Sequence, residues 1–153
     1  LRDEFLSMLP DETTGTLAMN ALVFEEFLAR EADAGRLALK LKPLAEKKAL
    51  LHGHCHQKAF GAISPVLDVL RLVPGAKPEL IESSCCGMAG SFGYEASHHA
   101  VSMQMAELSL LPAVRAQPDA LVVADGTSCR HQIHDGAGRD ALHVARVLAE
   151  QLT

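Results

Sequence analysis

Three short apolar runs, separated by helix-patterned stretches, constrain the fold of this chain more than any other feature. They are Ala49-Leu50-Leu51, Leu80-Ile81-Glu82 and Leu121-Val122-Val123-Ala124. Bounded by Gly, Pro and polar clusters, they read as strands. Strands that alternate with helices pair in parallel through right-handed crossovers. The expected fold class is therefore α/β, a layered domain with a parallel sheet of three or four strands flanked by helices.

The helical pattern starts with Leu17, Ala21, Phe24 and Leu28, behind Thr13, Thr14 and Thr16 as candidate N-caps. Gly35 marks the stop of this single first helix. A first strand follows at 48–53. Ile63, Val66, Leu67, Leu70 and Val73 give an amphipathic helix, with Pro65 at a kink or in its first turn. Pro74-Gly75 and Pro78 form the loop into a second strand near 79–83. The stretch 95–111 carries two apolar stripes, one through Val101, Met105 and Leu108 and one through Met103, Ala106 and Leu110. That pattern predicts one helix buried on more than one side, its end bracketed by Pro112 and Pro118. A third strand is expected at 120–125. Ala141, Val144, Ala145, Leu148 and Leu152 define a last helix.

Composition narrows the function classes. With 153 residues, 48% apolar and 22% charged, the chain suits one globular domain, 1–153. A net charge of -5 argues against nucleic acid, which draws a basic stripe. Lys40, Lys42, Lys47 and Lys48 cluster, but Glu46 interrupts them, and they read as a solvated helix end. Four cysteines are too sparse for a disulfide scaffold. No secretory pattern or membrane-spanning run is visible. The expected location is cytoplasmic, with a peripheral seat at the inner face of the membrane compatible with it. Because the chain begins at Leu1 rather than Met, it is expected to be a fragment of a larger protein.

Each strand-like run leads to cysteine: the first to Cys55, the second to Cys85-Cys86-Gly87, the third to Cys129. Open α/β sheets place ligands outside the carboxyl ends of their strands. If the runs are parallel neighbours, the four cysteines converge there as a soft-metal or redox site. The plainer alternative, cysteines as small core hydrophobes, explains one such residue better than a set in equivalent places. Around Cys55, simple alternation would put His52, His54 and His56 on one side, unless Gly53 turns the chain. Any of these histidines could be a metal ligand, a partner to the sulfur, or an ordinary polar strand end. Vicinal Cys85 and Cys86 do not easily form a relaxed disulfide, but both can point inward from a sharply turned loop. Gly87, Gly90 and Gly93 let that backbone approach a ligand, and amides at a following helix start favour a phosphate or a thiolate-bound cluster. Beside Cys129, Arg130 adds positive charge, and His131 and His134 are spare nitrogen donors.

Together, Cys55, Cys85-Cys86-Gly87 and Cys129 resemble the CCG domain, the cysteine-rich domain of heterodisulfide reductase and related iron–sulfur oxidoreductases. The likeness runs over residues 48–134. Locally, His54-Cys55-His56-Gln57-Lys58, the stretch from Cys85 to Gly93 and Ser128-Cys129-Arg130 are most similar to bacterial proteins that fuse an FAD-linked oxidase to an iron–sulfur region. Those proteins are dehydrogenases of D-2-hydroxy acids such as D-lactate, D-2-hydroxyglutarate or glycolate, and this chain resembles their second, carboxy-terminal CCG copy. The resemblance implies a redox domain, not catalytic alone, that relays electrons from flavin to a quinone or protein acceptor. It implies an iron–sulfur cluster, or zinc, on Cys55, Cys85, Cys86 and Cys129, with His54, His56 and His131 as auxiliary donors. FAD and further iron–sulfur domains would lie upstream in the parent protein. Two alternatives stand beside it: a zinc-stabilised or metal-free docking domain, and disulfide chemistry as in heterodisulfide reductase. The chain departs from the full motif at Gln132, where Cys-x-x-Cys would place its last thiol. An amide is a poor ligand for a soft metal, so Gln132 is expected outside the ligand set.

Overall fold

The computed structural model describes residues 1–45 and 48–153. At its centre is an all-parallel, four-stranded sheet, with β1 (Lys48–His52), β2 (Lys77–Leu80), β3 (Leu121–Ala124) and β4 (Ala141–Leu142) in the order β2-β1-β3-β4. Leu50 of β1 pairs in register with Glu79 on one side and Val122 on the other. The fold is α/β, as the alternating pattern requires.

The pleat sorts side chains to two faces with a period of two. Ala49, Leu51 and Val123 join one core with Leu28 of α3 (Phe24–Asp33), Val66, Val69 and Leu70 of α5 (Ile63–Arg71), and Val144, Val147 and Leu148 of α9 (Val144–Gln151). Leu50, Val122 and Ala124 join the other, with Leu110 and Val114 of α7 (Leu110–Arg115) and Cys129 and Ile133 of α8 (Thr127–Ala137). Helices thus cover both faces and leave the carboxyl edge of the strands for ligands.

Several elements differ from the sequence expectation for identifiable reasons. The single first helix is two, α2 (Glu12–Asn20) and α3, because the chain extends at Ala21 and Val23. Asp11 caps α2 by accepting from the Thr14 amide at 2.6 Å, so the threonines lie inside the helix. Glu26 accepts from the Val23 amide at 3.0 Å and restarts the chain as α3. Gly35, left-handed at φ +66°, stands just past that helix as expected. The long third helix is also two, α6 (His99–Glu107) and α7, preceded by a 3-10 turn at Phe92–Tyr94. Pro112, placed in the first turn of α7, cannot bond back to Leu108 and so separates the two. Pro65 likewise occupies the first turn of α5.

The second strand begins two residues early, with Pro78 inside it; β2 is an edge strand, where a missing donor is tolerated. Ala141 belongs to β4 rather than to the last helix, which starts at Val144 behind a cap from His143. Three short or polar helices, α1 (Glu4–Met8), α4 (Cys55–Ala59) and α8, were not expected from apolar spacing. Of the lysine cluster, Lys40 and Lys42 lie in no helix and Lys48 opens β1; Glu46 and Lys47 lie outside the described residues.

Candidate metal centre

The three cysteine-bearing loops leave the carboxyl ends of β1, β2 and β3 and meet on one face of the sheet. β1 ends at His52, which shares the parity of Leu50 and is fully buried. Its Nδ1 is hydrogen-bonded to Ser83 Oγ at 2.9 Å, which fixes the ring. Its Nε2 is buried with no hydrogen-bond partner among the described residues. A His52 ring nitrogen and the Cys86 and Cys129 sulfurs all lie within 4.8 Å of one another. The chain then turns at Gly53, so the His52-His54-His56 alternation ends there. His54 caps α4 through Nδ1, accepting from the His56 amide at 3.3 Å, and Cys55 is the first, exposed residue of that helix.

The loop after β2 is held from two sides. Lys58 Nζ donates to the Ser83 and Ser84 carbonyls at 2.5 and 2.7 Å, pinning the approach to Cys85. Gly87 N donates to Cys85 Sγ at 3.3 Å. Gly87 itself sits at φ +91°, and a Cβ there would lie 2.1 Å from the Ser102 carbonyl oxygen, so only glycine fits. After β3, Arg130 donates to the Ala124 and Asp125 carbonyls at 3.0 and 2.7 Å, fixing the first turn of α8, where Cys129 is buried. Arg130 is thus occupied with backbone rather than with sulfur.

All four cysteines are free thiols. A hydrogen bond from the Cys129 thiol holds Cys86 far below the usual thiol range, supported by His52 and the Met88 amide. The same hydrogen bond, then burial, pushes Cys129 up. Burial and a contact with Cys85 raise Cys55, opposed by Lys58. Of the group, Cys86 is the thiol that its surroundings favour as thiolate, with amide and imidazole beside it. Such a pocket suits a soft cation or a thiolate-bound cluster.

The auxiliary histidines are placed otherwise. His131 Nδ1 is hydrogen-bonded to the Tyr94 hydroxyl at 2.6 Å, and His134 to Asp140 at 2.9 Å. His54 and His56 line a pocket across Gly126, where a Cβ would lie 2.4 Å from His54 Cδ2 and 2.9 Å from Cys129 Sγ. His52 is the imidazole that the fold turns toward the sulfurs. Its signal in the sequence was parity with Leu50 at the last position of the strand. Gln132 is 3% exposed, and its Nε2 donates to Cys86 O, Ser102 O and Ser102 Oγ at 2.9–3.0 Å. It ties the cysteine loop to α6 instead of facing the sulfurs.

Comparison with known proteins bears on what this edge serves. One subunit of the anaerobic glycerol-3-phosphate dehydrogenase of Escherichia coli (strain K12) is 31% identical over 152 residues, 99% of this chain and 37% of that protein. D-2-hydroxyglutarate dehydrogenase of the same strain is 32% identical over 154 residues, 97% of this chain and 14% of that protein. The chain is homologous to a segment of each. The D-2-hydroxyglutarate dehydrogenase of Pantoea ananatis is 37% identical over 76 residues, half of this chain. No protein-family model and no solved structure matches. The chain spans about a third of the length of its glycerol-3-phosphate dehydrogenase homologue and far less of the others. The homologues themselves are a dehydrogenase subunit and two dehydrogenases. Among the described residues no helix is long and apolar enough to cross a membrane.

Proposed function

We propose that this chain is a CCG-type redox domain that holds an iron–sulfur cluster through Cys55, Cys85, Cys86 and Cys129. In this reading it is one part of an FAD-linked dehydrogenase of a 2-hydroxy acid, and it helps pass electrons from the flavin to a quinone or protein acceptor. The observation that carries the reading is the meeting of four free cysteines from three loops at the carboxyl edge of one sheet. The residues fit such a group. Cys86 is the thiol whose pKa is held lowest, the Gly87 and Met88 amides donate to sulfur, and buried His52 brings a ring nitrogen within 4.8 Å of the Cys86 and Cys129 sulfurs. Bound there, an iron–sulfur cluster supplies one-electron steps. The chain's own contribution is to orient the thiolates, bury those of Cys86 and Cys129, and tune the set through amide hydrogen bonds.

Anaerobic purification with assays of iron, acid-labile sulfide and zinc tests the reading. Iron and sulfide in similar amounts, with visible absorbance lost in Cys86→Ser, is the expected result. A colourless protein with one zinc would instead favour a zinc-held docking domain. His52 supports that second reading, since zinc accepts mixed sulfur and imidazole sets. A metal-free chain that cycles a disulfide would overturn both.

A further inference from the structure

The opposite face of the same sheet edge carries a second cluster. Strand parity turns Asp125, two residues after Val123, away from the cysteines and toward the α3 and α9 side. Glu25 enters from the first turn of α3, and His143 from the end of β4. Ligating atoms of Glu25, Asp125 and His143 all lie within 4.8 Å of one another. They line a pocket of about 370 Å³ whose other walls include Phe24, His54 and Phe60.

Two features set this cluster apart from an ordinary acidic surface. Glu25 is 3% exposed, and its carboxylate accepts no hydrogen bond from any other described residue. Neither it nor Asp125 pairs with a lysine or arginine among the described residues. Asp125 is already fixed, accepting from Gln57 Nε2 at 2.7 Å and from the Val144 amide at 2.9 Å. His143 Nδ1 accepts from the Ala145 amide at 3.0 Å and faces Asp125 Oδ1 at 3.5 Å. The Asp125 carboxylate and the His143 imidazole are therefore adjacent, with the Glu25 carboxylate beside them. A separation of 3.5 Å suits adjacent donors each about 2.1 Å from one ion. Ligation through Nδ1 would replace the hydrogen bond from the Ala145 amide. Burial, then the charge of Asp125, pushes the Glu25 carboxyl up to about 7.

We infer that Glu25, Asp125 and His143 form a binding site for a divalent metal ion, separate from the cysteine centre and on the other side of Gly126. Two carboxylates and an imidazole select an ion content with oxygen and nitrogen, such as manganese, ferrous iron or zinc. The remaining coordination positions would open into the pocket beside His54 and His56.

Manganese is the probe of choice, because thiolates compete for it poorly. Titration of the anaerobic chain with Mn²⁺, followed by loss of the free-ion electron paramagnetic resonance signal, should show one saturable site. Glu25→Gln should weaken it by roughly tenfold or more, and Asp125→Asn likewise. Cys86→Ser should leave it unchanged, which separates this site from any failure of the cysteine reading. Glu25→Gln breaks no side-chain hydrogen bond to another described residue, so it decides the matter if Asp125→Asn unfolds. Absence of saturable binding, or binding untouched by Glu25→Gln in a folded chain, would overturn the assignment. So would a site lost with Cys86.

Discussion

Gln132 stands where the sequence resemblance would place a last thiol, and the structure gives that position a different task. Its amide satisfies the Cys86 carbonyl together with the carbonyl and hydroxyl of Ser102, all from a buried position. Buried acceptors that lose their donor cost about 1–3 kcal/mol. The sequence alone suggests that Gln132→Cys would complete a ligand set and raise cluster occupancy. The hydrogen bonds argue the reverse: Gln132→Cys should lower stability by about 2 kcal/mol and leave iron content no higher. Urea unfolding and iron assays on one preparation decide this, and more iron at unchanged stability would refute it. The four cysteines were legible in the sequence because all of them lie just past one of three apolar runs. Glu25 and Asp125 were not, because isolated acids look like solvated ones until the fold brings them together.

At the scale of elements, the cysteine loop depends on backbone that only glycine can supply at one position and merely prefers at another. Gly87 and Gly90 are both left-handed, at φ +91° and +69°. A Cβ on Gly87 would meet the Ser102 backbone, whereas one on Gly90 meets nothing within 4 Å. Gly90→Ala should therefore cost about 1 kcal/mol, the conformational term alone. Gly87→Ala should cost about 3 kcal/mol or more, because strain and a clash with fixed backbone combine. Denaturation midpoints of the pair provide the comparison, and equal losses would show that Ser102 yields easily. β1 and β3 were readable from their apolar runs and the α5 helix from its periodicity. The α8 helix was not, since Thr127, Ser128, Arg130, His131 and His134 interrupt any apolar stripe and only Cys129, Gln132 and Ile133 are buried. β4 has two residues, too few to show alternation.

For the molecule as a whole, the pleat of β1 and β3 separates two chemistries at a single edge. His52 and the cysteines occupy one face, Asp125 and its partners the other, with Gly126 between them. This division follows from the strands' parity, but it needs the register between β1 and β3, which no single run of sequence states. If the cysteine face relays electrons, damage there should be felt after substrate oxidation rather than during it. On the proposed reading, Cys86→Ser in a full-length flavin-containing dehydrogenase that includes this chain should slow reduction of the acceptor by roughly tenfold or more, while flavin reduction by substrate keeps its rate. Cys86 is the residue to choose because its pKa is held lowest and it meets both His52 and Cys129. Stopped-flow spectra of the flavin, recorded with and without acceptor, separate the two half-reactions. Unchanged rates in both would make the cysteine edge a structural feature of the parent enzyme. Slower flavin reduction would place this domain against the substrate site instead of on the path that leads away from it.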